Sequence, residues 1–357
     1  MGLPEINIEF KGKAVSVISR SAMGIVVLIL KDEVQTADTV IYKSVGDVVS
    51  AEWSAENLDY IQKTFDGSPS KVIVERLDAS ATDYTAALTR LRNKRFNYLA
   101  IPGIEDAATS IISTWIKTNR NEKKTFKAVL PNAKADHEGI INFTTTGIMV
   151  AGKEYSTAEY TARIAGILAG LPFTQSATYQ VLPEVDSIAE IEDPDAAVDA
   201  GELILINDGE KIKIGRGVNS LVTLPEPYDL VVSKTGDYKK IKIVEIMDMI
   251  TDDIRDVFNT RYVGKVPNTY DNQVLFFTYI NSYFKEIAGD EILDPNAVNK
   301  SEINVQAQRE AWESIGTDTT SLDDQKIKEM SFKSNVFLAG NVKIVDAMED
   351  LDFQITI

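Results

Sequence analysis

The sequence predicts a multi-domain α/β (α+β) protein, with a central α/β sheet domain, a second α/β domain towards the C-terminus and an extended strand at each end. Three observations predict it. Strand-like and helix-like apolar patterns alternate through the first half. Two long amphipathic helical patterns follow an Asp-Gly turn in the second half, and both ends alternate apolar with polar residues. At 357 residues the chain exceeds what one hydrophobic core usually serves, so two or three domains are expected.

At the N-terminal end Ile6, Ile8 and Phe10 share one face of a strand, with Asn7 and Glu9 on the other. Lys71 to Leu77 and Tyr98 to Ile101 read as strands. Between them Tyr84, Leu88 and Leu91 recur at helical spacing behind a capping Thr82 or Asp83. Ile111, Ile112, Trp115 and Ile116 mark a second helix. A strand over Phe126 to Leu130, a short one over Ile140 to Phe143 and a helix over Ser156 to Ala169 complete the central α/β domain. Asn207, Asp208 and Gly209 between two β-rich runs form a hairpin signal. From Lys240 a helix with Ile243, Ile246, Met247, Ile250, Ile254, Val257 and Phe258 on one face ends near Gly264 and Pro267. Val274, Phe277, Ile280, Tyr283, Phe284 and Ile287 define the next helix, and a polar stretch over Ser314 to Met330 precedes a terminal β region.

Leu351, Phe353, Ile355 and Ile357 alternate with polar residues to the end of the sequence, as in a half-buried strand. Burying these four side chains gains roughly 1.5 to 3 kcal/mol each, about 6 to 12 in all. Ordering the segment costs roughly 1 to 2 kcal/mol per residue, about 7 to 14. The near balance predicts a segment that is loose by itself and fixed where ladder bonds join it to a sheet, either of its own domain or, by β-augmentation, of a neighbouring molecule.

Composition narrows the functional classes. With 44% hydrophobic and 25% charged residues the chain is ordinary for a globular protein. The absence of cysteine excludes disulfides and thiolate metal sites. Acidic opening residues without an apolar core argue against a secretory signal, and Ile25 to Leu30 and Ile164 to Leu171 are too short to span a membrane, so cytoplasmic synthesis without membrane insertion is expected. A net charge of -17 argues against nucleic-acid binding.

His137, between Asp136 and Glu138, is the single histidine, so a multi-histidine metal site is impossible and any nucleophile–histidine–acid triad must use it. A structural loop histidine is the simpler reading. Asp248, Asp252, Asp253 and Asp256 read as the solvated outer face of a helix, with a cation site as the alternative. Gly215, Gly217 and Ser220 fail the dinucleotide fingerprint at the third glycine, and no triphosphate loop is present. Gly166 and Gly170 read as close packing of a helix onto the sheet. Basic clusters, Arg90, Arg92, Lys94 and Arg95 and then Lys117, Arg120, Lys123, Lys124 and Lys127, oppose eight acids between Glu184 and Glu202; in a polymer these blocks would pair between copies.

The chain resembles the contractile tail sheath proteins of bacteriophages and phage-tail-like bacteriocins, in the compact Gram-positive prophage branch. The resemblance rests on LPEINIEFKGKA from Leu3, ADHEGIINF from Ala135, IAGILAGLPFTQSATY from Ile164, IGRGVNSLVTL from Ile214, IVEIMDMITDDIRDVF from Ile243, YVGKVPN from Tyr262 and VFLAGNVKIVDAMEDLDFQITI from Val336. It implies a non-enzymatic subunit without cofactors that stacks in hexameric rings around a tail tube and contracts to drive the tube through a bacterial envelope. Implied partners are copies of itself, the tail tube protein, and the baseplate and tail terminator proteins. The implied location is the host cytoplasm during assembly and then the virion or bacteriocin tail. The implied divisions are an N-terminal arm (1–20), a variable N-terminal domain (21–97), a central sheath domain (98–230), a C-terminal sheath domain (231–335) and a C-terminal strand and arm (336–357). Arms of this kind add strands to a neighbour's sheet, which makes Ile6, Ile8, Phe10, Leu351, Phe353, Ile355 and Ile357 expected interface residues. The rival readings are an α/β hydrolase or transferase using His137 with Asp136 or Glu138, and a monomeric binding module with its strands paired within one chain.

Overall fold

A computed structural model describes residues 24–224 and 235–356. They divide into two compact units, residues 24–248 with 346–356, and residues 249–345. In chain order the larger unit contains β1 (Ile25–Lys31), β2 (Thr39–Tyr42), α1 (Ala55–Phe65), β3 (Lys71–Leu77), α2 (Thr85–Leu91), β4 (Tyr98–Ala100) and α3 (Asp106–Asn121). It continues with β5 (Lys127–Pro131), β6 (Ile140–Phe143), β7 (Ile148–Val150), β8 (Lys153–Tyr155), α4 (Thr157–Gly170), α5 (Pro194–Asp199), β9 (Glu202–Leu203), β10 (Leu205–Asn207) and β11 (Ile212–Ile214).

Seven strands form one sheet in the order β2-β3-β1-β4-β5-β6-β9, parallel except for β2. The interior strand β1 is the run read from sequence only as too short for a membrane. All of Val26 to Leu30 are buried, because a parallel strand covered on both faces is apolar at every position. Val26, Leu28 and Leu30 pack with Tyr60 and Ile61 of α1 and Ile164 and Leu168 of α4. Val27 and Ile29 pack with Leu88 and Leu91 of α2 and Ile112 and Ile116 of α3. Since β1 bonds to β3 on one side and β4 on the other, residues either side of position 97 share one sheet.

Local signals account for several elements. Ser156 and Glu159 form a capping box at the start of α4. Asp83 accepts the Thr85 N–H ahead of α2. The Asn207–Gly209 turn closes the β10–β11 hairpin with Gly209 at φ +93°, a left-handed conformation that glycine adopts without strain. Asp32, just past β1, accepts from Gln35 N, from Ser54 N and Oγ and from Asn57 Nδ2, tying β1 to the first turn of α1. Gly166 and Gly170 do pack closely, but against the end of α1 rather than the sheet: a Cβ on Gly166 would stand 2.1 Å from the Thr64 carbonyl oxygen.

Helix α6 (Ile241–Val257) carries the divide between the units, at Asp248/Met249. The smaller unit takes its last turns, a π-helical turn at Phe258–Tyr262, α7 (Tyr270–Gly289), β12 (Lys300–Ile303), α8 (Val305–Glu313), α9 (Asp324–Glu329) and β13 (Leu338–Asn341). Gly264, at φ +71°, lies where the sequence ends the long helix. Helix α7 buries Phe276, Ile280, Tyr283, Phe284 and Ile287; in its first turns the inward face runs through Gln273 and Phe276, one residue earlier than Val274 and Phe277. Strands β12 and β13 pair antiparallel as a sheet of two. Among the described residues no helix is long and apolar enough to cross a membrane.

Candidate assembly interface

The C-terminal segment has a fastened root and a bare tip. Asp346 pairs with Lys240, and Glu349 accepts from Ser176 Oγ at 2.8 Å and Thr178 Oγ1 at 2.6 Å, with Arg216 Nε 3.8 Å away. Asp350 takes Arg216 Nη2 at 2.5 Å. The hydrogen bond and charge of Asp350 raise the Arg216 pKa, while Asp346 raises that of Lys240, so both cations are held charged. Beyond this root Leu351, Phe353 and Ile355 are 89%, 73% and 72% exposed, and the backbone over 351–356 forms neither helix nor strand. Ile6, Ile8, Phe10 and Ile357 lie outside the described residues.

The two-stranded sheet has two different edges. On β12 the side-chain amide of Asn281, from α7, donates to the Ser301 carbonyl at 3.0 Å and accepts its N–H at 2.6 Å, so it occupies the place of a further strand. On β13 the pairing is set by Asn304 N donating to Phe337 O. In an antiparallel ladder bonded and non-bonded pairs alternate, which turns the N–H and C=O groups of Leu338 and Gly340 away from β12. Past β13 the chain continues in the same sense, with Asp294 N donating to Lys343 O and Val345 N donating to Ile292 O, so Val342 and Ile344 face outward too. No partner among the described residues meets this outward row. On the approach to β13 lies a groove of about 470 Å³ walled by Phe258, Tyr262, Val263, Val266, Phe276 and Val336. The rings of Tyr262 and Phe276 stand 4.6 Å apart, and Val263 is 52% exposed.

The charged positions behave differently from their sequence reading. Asp248, Asp252 and Asp253 are buried, which corrects the solvated outer face expected for them; Asp256 is exposed. Asp248 receives Arg120 through two nitrogens at 3.0 and 3.1 Å and Lys127 at 2.8 Å, and Lys127 also meets Glu245 at 3.2 Å. Lys127 is only 1% exposed; burial opposes its charge, but Asp248 and Glu245 outweigh it and lift its pKa above the ordinary value. Asp252 pairs with Arg255, and Asp253 accepts from the Tyr283 hydroxyl at 2.7 Å. The basic clusters are likewise partly internal: Glu75, fully buried, holds both Arg90 and Lys94, and Glu138 lies 3.5 Å from Arg120. On the acidic stretch Glu184 is taken by Arg163, leaving Glu190, Glu192, Asp193, Asp195 and Asp199 exposed.

His137 sits in a turn in which its Nδ1 accepts the Gly139 N–H at 3.0 Å and lies 3.6 Å from Glu138. Ser220 Oγ bonds to the His137 main chain, accepting its N–H and donating to its carbonyl. Asp136 accepts the N–H groups of Val222 and Thr223; burial alone would raise its pKa, but these bonds lower it. Asp136 and His137 therefore stitch this turn to residues 220–223, while Glu138 turns to Arg120. Among the described residues no group of three or more His, Asp or Glu side chains is placed to hold a metal ion. Sequence reading located the apolar tip by its alternation, but not the Glu349 root or the β13 edge.

Two family models match the chain, the phage tail sheath protein central domain over residues 78–220 and the phage tail sheath C-terminal domain over residues 233–357. The tail sheath protein of Clostridium phage phiCD119 is 41% identical over 369 aligned positions that cover 99% of each chain. The structure is similar to the crystal structure of the sheath tail protein from Desulfitobacterium hafniense, with a TM-score of 0.68, 17% identity and coverage of 84% of this chain and 93% of that one. It is also similar to the helical sheath of the anti-feeding prophage in its contracted state, with a TM-score of 0.69, 12% identity and coverage of 100% and 99%. At those identities the likeness is one of fold.

Proposed function

The chain belongs to the phage tail sheath family, and from that premise we propose that it polymerises in hexameric rings stacked around a tail tube and contracts to drive the tube through a bacterial envelope. The role is structural, without a catalytic step. Its partners are copies of itself, the tail tube protein, and the baseplate and terminator proteins at the tail ends. Assembly takes place in the host cytoplasm before release as part of a tail particle. The fold it shares with a sheath solved in the contracted state supports the contractile reading. The sequence contains no triphosphate loop, so contraction draws on free energy stored in an extended, metastable lattice.

The observation that carries this reading is an exposed apolar tip and a strand edge that meets no partner among the described residues. The outward edge over Leu338–Ile344 is long enough to take the described tip Leu351–Thr356 as a strand. The tip of one copy adds as a strand to the β13 edge of another, which completes the ladder and covers Leu351, Phe353 and Ile355. The segment bearing Ile6, Ile8 and Phe10 is a second arm of the same kind.

The test is deletion of Leu351–Ile357 followed by negative-stain electron microscopy and light scattering over a concentration series. The truncated chain is expected to stay folded and to form no tubes, whereas the full chain grows with concentration into hollow striated tubes. Tubes built by the truncated chain would sink the reading. A full chain whose scattering ignores concentration would favour a monomeric binding module.

A further inference from the structure

We infer that Glu349 and its seat, Ser176, Thr178, Arg216 and Lys240, form a clasp that keeps the C-terminal tip off the β13 edge of its own chain and so commits it to the edge of a second copy. The inference rests on the strand-addition reading above and adds to it what decides between self and neighbour. The tip follows its own edge closely in sequence. If residues 345–350 closed as a loop, Leu351 and Phe353 would return antiparallel beside Ile344 and Val342, apolar beside apolar. Closure entropy grows only slowly with loop length, and a tethered tip meets its own edge at an effective concentration on the order of millimolar. A neighbour at micromolar concentration is at a disadvantage of about a thousandfold. An unclasped chain would fill its own edge and stop assembling.

The structure holds the chain in the other arrangement. The tip is exposed, the edge meets no partner among the described residues, and the stretch between them is fastened by side chains of the larger unit. The seat is fixed by its own bonds: Ser176 Oγ accepts the Thr178 N–H at 3.1 Å and Thr178 Oγ1 accepts the Gly217 N–H at 3.0 Å, while both hydroxyls donate to Glu349. Arg216 and Lys240 stand 3.8 and 3.9 Å from the same carboxylate, and Asp350 shares Arg216. The Glu349 side chain is 8% exposed although Met348 and Asp350 on either side are exposed, so this one acid is turned inward. An acid buried in a polar seat adds little net stability but fixes a position, because displacement leaves buried charge unpaired. From Asp346 onward no main-chain to main-chain hydrogen bond ties the described residues to the rest of the chain, so the side-chain clasp sets the path of the tip.

The absence of cysteine allows a direct test on the full chain. Glu349→Ala with Asp350→Ala opens the clasp and leaves edge and tip intact. This variant is expected to raise the concentration needed for tubes by about tenfold or more in light scattering, with an unchanged circular-dichroism melt, even though it carries less negative charge. With Phe353→Cys and Val342→Cys added, the open-clasp chain is expected to give a fast-running cross-linked monomer on an oxidised, non-reducing gel, and the closed-clasp chain is not. Ser176→Ala with Thr178→Ala, which changes no charge, should act in the same direction. Tubes from the open-clasp chain at an unchanged concentration would overturn the inference. So would loss of tubes without the cross-linked monomer, which reduces the clasp to a simple fastening, and so would an equal cross-linked monomer with the clasp closed. Tubes from the chain lacking Leu351–Ile357 are a separate failure, that of strand addition itself.

Discussion

The seven-stranded sheet and the two-stranded sheet of the same chain treat their edges in opposite ways. The large sheet ends on β2, four residues, and β9, two residues, and its centre is covered by helices on both faces. Short edges of this kind leave little for another chain to join. The small sheet is sealed by Asn281 on one side and presents an outward row from Leu338 to Ile344 on the other. Two strands alone are marginal in water, and a third adds most where one is missing. Among the described residues the large sheet thus ends on short strands, while the small one keeps an edge that meets no partner.

That contrast can be broken from either side. The largest effect is expected at Asp248. Its replacement by Ala leaves Lys127 and Arg120 buried without their shared carboxylate, and removing one partner of a buried pair costs about 3 to 5 kcal/mol. The loss should appear as a lower guanidinium midpoint of the far-UV signal. Asp32→Asn comes next, at about 1 to 2 kcal/mol at neutral pH, because charge-assisted bonds to the start of α1 weaken. Burial would raise the Asp32 pKa, yet hydrogen bonds from Asn57, Gln35 and Ser54 lower it to about 2 from the ordinary 3.8. A depressed carboxyl stabilises fully above its unfolded value and loses that contribution as pH falls through the folded one. The gap between wild type and Asp32→Asn should therefore close as melts are taken from pH 4 down to pH 2. The smallest change in stability, about 1 kcal/mol, is expected for Asn281→Ala, which removes two hydrogen bonds at Ser301. Its value lies in sharpening the contrast: with both edges open, electron micrographs should show irregular aggregates beside tubes, and an unchanged tube population would mean that Asn281 does not guard the edge.

Much of this architecture is legible in local sequence. The α4 capping box, the Asn-Asp-Gly hairpin and the helix stop at Gly264 carry their own short-range chemistry and stand where the pattern put them. Strand β1 was harder to recognise, because a strand buried on both faces has no alternation. The burial of the α6 aspartates has no local sequence signal for a different reason: the cations that pair with Asp248 lie 128 and 121 residues earlier, beyond any helical period. The apolar tip could be read from its alternation, while the β13 edge could not, since unbonded backbone leaves no mark in residue type.

The fastening of Glu349 and Asp350 turns the last stretch of chain into a ruler. The described residues Leu351–Thr356 run on from that root, and a fully extended chain covers at most about 3.3 to 3.6 Å per residue, so they span at most about 20 to 22 Å. A copy whose receiving edge stands farther away is out of range however well its surface matches. On the strand-addition reading, the tethered tip stays at high local concentration within that radius, and a link opened under load would close again on the same neighbour before either copy drifts off.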